Sequence, residues 1–248
     1  MSDEAVLRAR RFTEAGIRHG FSTRLGGVSA GPYAAMNLAR NVGDDPAAVA
    51  ENHRRFAAAV GYEPARLFES SQVHGARVLR TEGAAADATR AEEADALVTS
   101  TPGDAVAVRV ADCVPVLLAA PGRGVVAAVH AGWRGVTQRV IAAAVEAMGV
   151  RGDELIAAVG PCIGPCCFEV GDEVAAEIAG ASSEAVVARP GEGRPRVDLR
   201  AAVAAQLVGV GARAVEHVGG CTRCEGGRYH SYRRDGKASG RMLAAIVA

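Results

Sequence analysis

Three residues in separate parts of the chain carry side chains that could bind one metal ion together. His74 lies in QVHG, Cys113 in VADCVP and His130 in VHAGWRG, each at or near the end of a segment expected to be a buried strand. Neighbouring strand ends converge in space even when they are far apart in sequence. Two imidazoles and one thiolate suit zinc, with a fourth position left for water. Such a site turns water into a nucleophile near neutral pH, and the same ligands would also suit copper.

The spacing of these residues is not a motif by itself, and it leaves two other interpretations open. His74 and His130 could be core histidines with satisfied hydrogen bonds, and Cys113 a small buried hydrophobe. Alternatively, Cys113 could be a nucleophile with one of the histidines as its base. No short-range rule decides among the three.

Arginines in glycine-rich or polar segments are candidate anion-binding residues. Arg134 follows His130 in a glycine-rich turn that leads into a helix, where backbone N–H groups favour anions. Arg24 lies in the loop FSTRLGGVS, and Arg233 lies beside Arg234 in HSYRRDG. The sequence does not choose among them. Exposed arginines are more often solvated surface than ligand sites.

Five further cysteines lie outside the first set. Cys221 and Cys224 form a CxxC, and Cys162, Cys166 and Cys167 lie together in GPCIGPCCFEVG. The CxxC could join cysteines of the second group in a Cys₄ zinc site, although CIGPCC lacks the spacing of a zinc ribbon. A redox module with the CxxC as its working part is the alternative.

Composition narrows the class of protein. The chain has 248 residues, a formal net charge of zero, 49% hydrophobic residues and only 4% aromatic residues. A nucleic-acid partner would favour a basic excess or aromatic stacking surfaces, so none is expected. No apolar run approaches the roughly 18–20 residues of a membrane span, and the charged N-terminus is unlike a secretory signal. We expect a cytoplasmic protein with reduced cysteines and no membrane partner.

Hydrophobic patterning predicts alternating strands and helices. Capping residues indicate a helix over 44–61, and an alternating pattern predicts a strand over 67–81. Buried strands are expected at 95–100, 105–120 and 124–130, with Pro115 interrupting the second. Helices are expected at 136–149 and 196–211, and the segment 82–94 as a surface loop. No repeat or linker divides the chain, so residues 1–248 are expected to form one mixed α/β domain.

Eight motifs in order resemble the laccase-domain family, also described as multicopper polyphenol oxidase-like, as a purine nucleoside phosphorylase family and as peptidoglycan editing factors. The similarity spans about residues 19–242, and its motifs are FSTRLGGVS, MNLA, QVHG, ADALVT, VADCVPVLL, VAAVHAGWRG, GPCIGPCCFEVG and HSYRRDGKASGRM. The resemblance implies an α+β fold, a compact sandwich of mixed sheets with outer helices. It also implies that His74, Cys113 and His130 bind zinc, with copper as the alternative.

The implied activities are phosphorolysis of adenosine, inosine, guanosine and methylthioadenosine, and hydrolytic deamination of adenosine. Purine nucleosides and phosphate would be the partners of a monomeric enzyme. Asp112 and Glu169 are candidates for the proton transfer that deamination needs. Six histidines without a His-x-His pair cannot build a four-copper laccase. The alternatives are a cysteine-dependent hydrolase in peptidoglycan editing and a single-copper polyphenol oxidase.

Overall fold

The computed structural model describes residues 4–248, and its strands form three sheets. The strands are β1 (Val6–Leu7), β2 (His19–Ser22), β3 (Leu67–Phe68), β4 (Val78–Arg80), β5 (Ala96–Thr99), β6 (Ala105–Val110), β7 (Val114–Ala120), β8 (Val125–Ala131), β9 (Ile156–Val159), β10 (Val187–Ala188), β11 (Arg196–Val197), β12 (Ala214–His217) and β13 (Met242–Val247).

Several of the α-helices are only about one turn long. They are α1 (Arg10–Glu14), α2 (Pro46–Val60), α3 (Ala86–Thr89), α4 (Trp133–Thr137), α5 (Val140–Met148), α6 (Asp172–Ala181), α7 (Leu199–Gly209) and α8 (Tyr232–Asp235). Single 3₁₀ turns lie at Gly31–Tyr33, Pro64–Arg66, Pro121–Arg123, Gly152–Glu154, Glu184–Val186 and Gly236–Ala238. Across residues 4–248, no helix combines the length and apolar content needed to cross a membrane.

Two mixed sheets pack face to face. One has the strand order β1-β2-β13-β6-β3, the other the order β12-β9-β7-β8-β5-β4, and β10 and β11 form a separate pair. Inward-facing side chains of both large sheets, including Phe21, Val108, Leu117 and Ala128, form one buried cluster between them. Most strands in the middle of the sandwich are apolar on both faces, as expected where both faces are covered.

Helices cover the outer faces of the sandwich. Helices α4 to α7 pack on the outer face of the six-stranded sheet in the largest hydrophobic cluster. Helix α2 packs on the outer face of the five-stranded sheet through Phe56, Ala57 and Val60. The expected α+β sandwich of mixed sheets with outer helices is therefore confirmed.

The helix expected over 44–61 is confirmed in its residues and its caps. It spans Pro46–Val60, and the Asp45 carboxylate accepts hydrogen bonds from the backbone N–H groups of Ala47 and Ala48. Gly61 ends it with a φ of 91°, in the left-handed region that favours glycine. The helix at 196–211 also begins after its expected cap, Asp198.

The single strand expected over 67–81 is wrong. The structure has β3 and β4 with a loop between them, and the loop carries His74. The Gln72 side chain bonds to both the backbone N–H and the carbonyl of Arg109 in β6, each at 2.8 Å. In this loop, hydrogen bonds from side chains to the backbone take the place of the backbone hydrogen bonds between strands. An alternating sequence pattern does not reveal such side-chain bonds.

Three other boundaries differ from the sequence-based expectation. The helix over 136–149 is split into α4 and α5 at Arg139, which has a φ of 59°. Pro115 lies inside β7, and the interruption comes earlier, at 111–113, so Cys113 does lie at a strand end. The expected loop at 82–94 contains the short helix α3.

Candidate metal centre and cavity

His74, Cys113 and His130 meet at one end of the sandwich. One potential ligand atom from each lies within 4.8 Å of those of the other two. The two imidazole rings are 4.8 Å apart between centroids, with an angle of 78° between their planes. His74 comes from the loop between β3 and β4, Cys113 directly precedes β7, and His130 lies near the end of β8. The sheet therefore assembles three residues that are distant in sequence.

Exposure is graded across the three side chains. His130 is buried, Cys113 is half-buried and His74 is exposed. All three line the same cavity. One side of the cluster is thus fixed in the core, and the other side is accessible to a small molecule.

Asp95, directly before β5, forms hydrogen bonds with both histidines. Its fully buried carboxylate accepts a hydrogen bond from His130 Nδ1 at 2.7 Å and from the backbone N–H of His74 at 2.9 Å. The N–H of Gly75 donates to its other oxygen at 2.7 Å. With the Nδ1 proton directed at Asp95, Nε2 of His130 is the nitrogen available to a metal. Carboxylates orient metal-ligating histidines in this way.

Backbone geometry at the cluster is also unusual. His74 has a φ of 62° and Asp112 a φ of 88°, in the left-handed region that non-glycine residues rarely adopt. A Cβ on Gly132 would lie 3.1 Å from Cδ2 of His74 and 3.2 Å from Sγ of Cys113. Gly132 therefore leaves room for the side chains of these two candidate ligands, as the glycine-rich turn suggested.

The charges of Cys113 and His130 stabilise each other. Burial by itself would raise the pKa of the Cys113 thiol, but the two histidines lower it below its usual value. Burial would likewise lower the pKa of His130, but Cys113 and Asp95 raise it above its usual value. The cluster therefore favours a thiolate at Cys113, which is the form that binds metals.

A cavity of about 560 Å³ opens beside the cluster. Its lining combines the three candidate ligands with arginines, aromatic rings and polar groups. The lining residues are Asn41, Ser71, Gln72, His74, Arg109, Ala111, Asp112, Cys113, His130, Ile163, Phe168, Tyr232, Arg233 and Arg241. A cavity of this size suits a drug-sized ligand.

Three arginines make the cavity basic. Arg109 is fixed by Glu69 at 3.3 Å and by the carbonyl of Ser70 at 2.7 Å. Arg233 lies over the ring of Phe168, with 5.5 Å from Cζ to the ring centroid. Arg241 lies over Tyr232 at the same distance. Each guanidinium is thus braced by neighbours, as in sites that bind phosphate or carboxylate.

The other two arginines expected at the site lie elsewhere. The guanidinium of Arg24 donates to the carbonyls of Ala34 at 2.7 Å and Gly226 at 2.9 Å, and it is not part of the cavity lining. Arg134 is exposed, stacks over Trp133 and is likewise outside the lining. Of the sequence-based set, only Arg233 lines the cavity.

The two carboxylates considered for proton transfer also differ in position. Asp112 lines the cavity, and its oxygens accept hydrogen bonds from Thr222 Oγ1 and from the backbone N–H of Arg233, each at 2.6 Å. Glu169 is exposed and pairs with Arg196 at 3.0 Å. Glu169 is not among the lining residues.

Sequence reasoning missed Asp95, Arg109 and Arg241. Two of them had a detectable signal, because each is a charged residue in an otherwise apolar segment: Asp95 in ADALVT and Arg109 in AVAVRV. Arg241 precedes an apolar strand and had no comparable signal. Its position depends on the long-range pairing of β13 with β6.

Fold and site together define a single-domain α+β protein with a candidate histidine–cysteine metal centre beside a basic cavity. The family model described as multi-copper polyphenol oxidoreductase laccase matches residues 18–248. The chain therefore belongs to this family, as the sequence motifs indicated.

Relatives from two bacteria are named purine nucleoside phosphorylase. The chain is 45% identical over 235 residues to the one from Deinococcus radiodurans, which covers 93% of this chain and 88% of the relative. It is 44% identical over 242 residues to one from Streptomyces coelicolor, which covers 96% and 98%.

Solved structures share the whole fold. Crystal structures of YlmD from Geobacillus stearothermophilus and of a YfiH protein from Bacillus licheniformis match with TM-scores of 0.89 and 0.91. The sequence identities are 32% and 30%. The first match covers 100% of this chain and 97% of the other, and the second covers 98% and 96%.

Proposed function

We propose that this chain is a metal-dependent purine nucleoside phosphorylase. The observation that carries the proposal is that the His74–Cys113–His130 cluster lines the same cavity as three braced arginines. The names of the bacterial relatives support the reaction class. The expected substrates are adenosine, inosine, guanosine and methylthioadenosine, together with inorganic phosphate.

Phosphorolysis needs an anion site and a purine site side by side. An oxygen of phosphate bonds to the ribose C1′, the bond from C1′ to the purine nitrogen breaks, and the purine leaves with the electron pair and takes up a proton. The products are ribose 1-phosphate, or its methylthio analogue, and the free base. The protein must hold the phosphate close to C1′, because orientation removes much of the barrier.

Arg109, Arg233 and Arg241 would hold the phosphate. Their planar guanidinium groups match the geometry of phosphate oxygens. Phe168 and Tyr232 offer aromatic surface to the purine. Arg24 and Arg134 do not enter this proposal, because their side chains lie outside the cavity lining.

The donor set at the cluster fits zinc, with copper as the alternative metal. His74, Cys113 and His130 would be the ligands, since the sulfur favours its thiolate form and Asp95 leaves Nε2 of His130 available. When bound, zinc would supply a Lewis acid beside the cavity that the three side chains line. Asp95 would hold the Nδ1 proton of His130 throughout.

Hydrolytic deamination of adenosine belongs to the same proposal as a second reaction. Water adds at C6 of the adenine, ammonia leaves, and inosine remains. Asp112 is the carboxylate in the cavity lining and is our candidate for proton transfer.

The free thiols of all six cysteines support a reducing cytoplasmic location, and we propose that the enzyme acts as a monomer.

A cysteine-dependent hydrolase is the second candidate, because Cys113 lies next to His130 and its pKa is lowered. In that case a cell-wall amide would be the substrate, as in peptidoglycan editing. Chelators distinguish the two candidates. Removal of the metal should abolish phosphorolysis, whereas a thiolate nucleophile should keep its activity without any metal. A single-copper polyphenol oxidase would instead require copper and a phenolic substrate.

The deciding assay incubates adenosine and inosine with the purified protein, with and without phosphate, and separates the products by chromatography. Adenine or hypoxanthine formed only with phosphate would support phosphorolysis. Inosine formed from adenosine without phosphate would support deamination. Absence of all three products from a zinc-loaded protein would overturn the proposal.

A further inference from the structure

Four cysteines outside the cavity meet at one edge of the six-stranded sheet. Cys166 and Cys167 follow β9, and Cys221 and Cys224 follow β12. These two strands are parallel neighbours, so their carboxyl ends lie side by side. An isolated bridge from Cys162 to Cys221 extends the pairing into the loops. The topology therefore brings the CxxC to the CIGPCC segment, although their spacing does not resemble a zinc ribbon.

Distances among the four sulfurs match the size of a metal ion. All four lie within 4.8 Å of one another. Sγ of Cys224 is 3.5 Å from that of Cys166 and 3.3 Å from that of Cys167. Sulfurs at about 2.3 Å from a tetrahedral zinc lie about 3.8 Å apart. A disulfide requires about 2.05 Å, and all four thiols are free.

Two of the four sulfurs accept hydrogen bonds from neighbouring groups. The backbone N–H of Gly164 donates to Sγ of Cys221 at 3.2 Å. The guanidinium of Arg223 donates to Sγ of Cys167 at 3.6 Å. Hydrogen bonds of this kind offset the charge of thiolate ligands. A Cβ on Gly164 would lie 3.2 Å from Cβ of Cys221 and 3.3 Å from Sγ of Cys166, so the glycine admits the close approach.

We propose that Cys166, Cys167, Cys221 and Cys224 bind one structural zinc ion. Four thiolates select soft or borderline metals, and four protein ligands close a tetrahedral site. The site is thus unlike the three-ligand cluster at His74, which leaves a position open. Cys162 is buried outside the group and takes no part.

The zinc ion would hold together two loops that position residues of the cavity lining. The loop that carries Cys166 and Cys167 also supplies Ile163 and Phe168 to the cavity lining. The other loop carries Thr222, whose Oγ1 donates to Asp112 at 2.6 Å. An ion that joins the two loops would hold Phe168 in place in the first loop. It would also hold Thr222 of the second loop, and thereby the Asp112 carboxylate. This role is to position the lining, because none of the four cysteines lines the cavity.

Metal content of purified variants tests the proposal without relying on activity. Protein prepared in reductant, supplied with zinc and freed of excess metal should contain two zinc ions per chain. Cys224→Ser should lose one of them and keep the other. Cys113→Ser should also lose one, leaving the four-cysteine site occupied. Cys162→Ser is the matched control, and it should retain both.

Cobalt gives an independent readout of the ligands. Cobalt-loaded Cys113→Ser should show the intense thiolate charge-transfer absorption of a four-sulfur site, and the further change Cys224→Ser should remove most of it. If Cys224→Ser does not fold, as judged by circular dichroism, the spectrum of Cys113→Ser decides the matter. Zinc-free Cys113→Ser, or a disulfide among these cysteines in reduced protein by mass spectrometry, would overturn the proposal. Neither result bears on phosphorolysis.

Discussion

The carboxylate of Asp95 accepts a hydrogen bond from His130 Nδ1 at 2.7 Å and another from the backbone N–H of His74 at 2.9 Å. One buried side chain therefore sets the ring orientation of one candidate ligand and the backbone position of another. The same carboxylate accepts hydrogen bonds from the backbone of a loop in which His74 has a left-handed φ. Because Asp95 directly precedes β5, formation of the sheet places its carboxylate where it can position both histidines.

Replacing Asp95 with Asn should weaken zinc binding about 10- to 100-fold, which is the usual cost of removing an outer hydrogen bond to a metal ligand. Asn keeps the size but removes the charge and one of the acceptors. Competition with a chromophoric chelator measures the affinity, and Cys224→Ser as background isolates the His74 site. Asp153→Asn, at a half-buried side chain outside the cavity lining, is the control. Unchanged affinity in a folded Asp95→Asn protein would contradict the role assigned to this carboxylate.

Gly132→Ala should also impair metal binding, with an effect of similar size. The backbone at Gly132 has φ −72° and ψ 170°, which alanine adopts without strain. The added Cβ would crowd His74 and Cys113, so the loss would come from ligand displacement. Gly122→Ala meets nothing within 4 Å and serves as the matched control. Equal zinc affinity of the two variants would show that the cluster tolerates the methyl group.

Arg233→Gln should raise the KM for phosphate about tenfold or more, because a hydrogen bond to a charged group contributes about 1.5–3 kcal/mol. The backbone N–H of Arg233, which bonds to Asp112, is retained in this variant. Arg134→Gln removes an arginine outside the cavity lining and should leave the KM unchanged. Steady-state rates at varied phosphate concentration provide the measurement. If Arg134→Gln has the larger effect, phosphate binds elsewhere than in this cavity.

Protein stability should fall in mild acid through His53. Burial lowers the pKa of His53 to about 4; Glu69 opposes this shift, while Arg40 and Arg109 add to it. An unfolded histidine titrates near 6.5. Between pH 6.5 and 4 the unfolded chain therefore binds a proton that the folded chain does not, and stability declines as the pH falls through this window. Above pH 6.5 this contribution no longer changes.

His53→Gln keeps a side-chain donor for the carbonyl of Leu38, which His53 Nε2 contacts at 3.0 Å. The variant should lose up to about 3 kcal/mol of the wild-type pH dependence of unfolding. Urea denaturation at several pH values from 7 to 4 gives the free energies of unfolding. Parallel pH profiles for the two proteins would exclude His53 as the source.

Much of the fold, but not the whole site, was predictable from the sequence. Helix α2 was predictable because Asp45, Pro46 and Gly61 are local signals. The loop around His74 was not, because side chains of Gln72 and Asp95, which are distant in sequence from their partners, replace a strand ladder. Arg241 reaches the cavity only through sheet pairing. The zinc ligands, the cytoplasmic location and the monomeric state stay predictions.

Zinc content and phosphorolysis measured together in Cys113→Ser and Cys162→Ser test the central claim most directly. Inosine with phosphate is the substrate, and hypoxanthine is the product. We expect Cys162→Ser to match the wild-type protein, and Cys113→Ser to lose one zinc ion per chain and phosphorolysis together. Wild-type rates from a folded Cys113→Ser protein that has lost this zinc would contradict a metal-dependent phosphorylase at His74, Cys113 and His130.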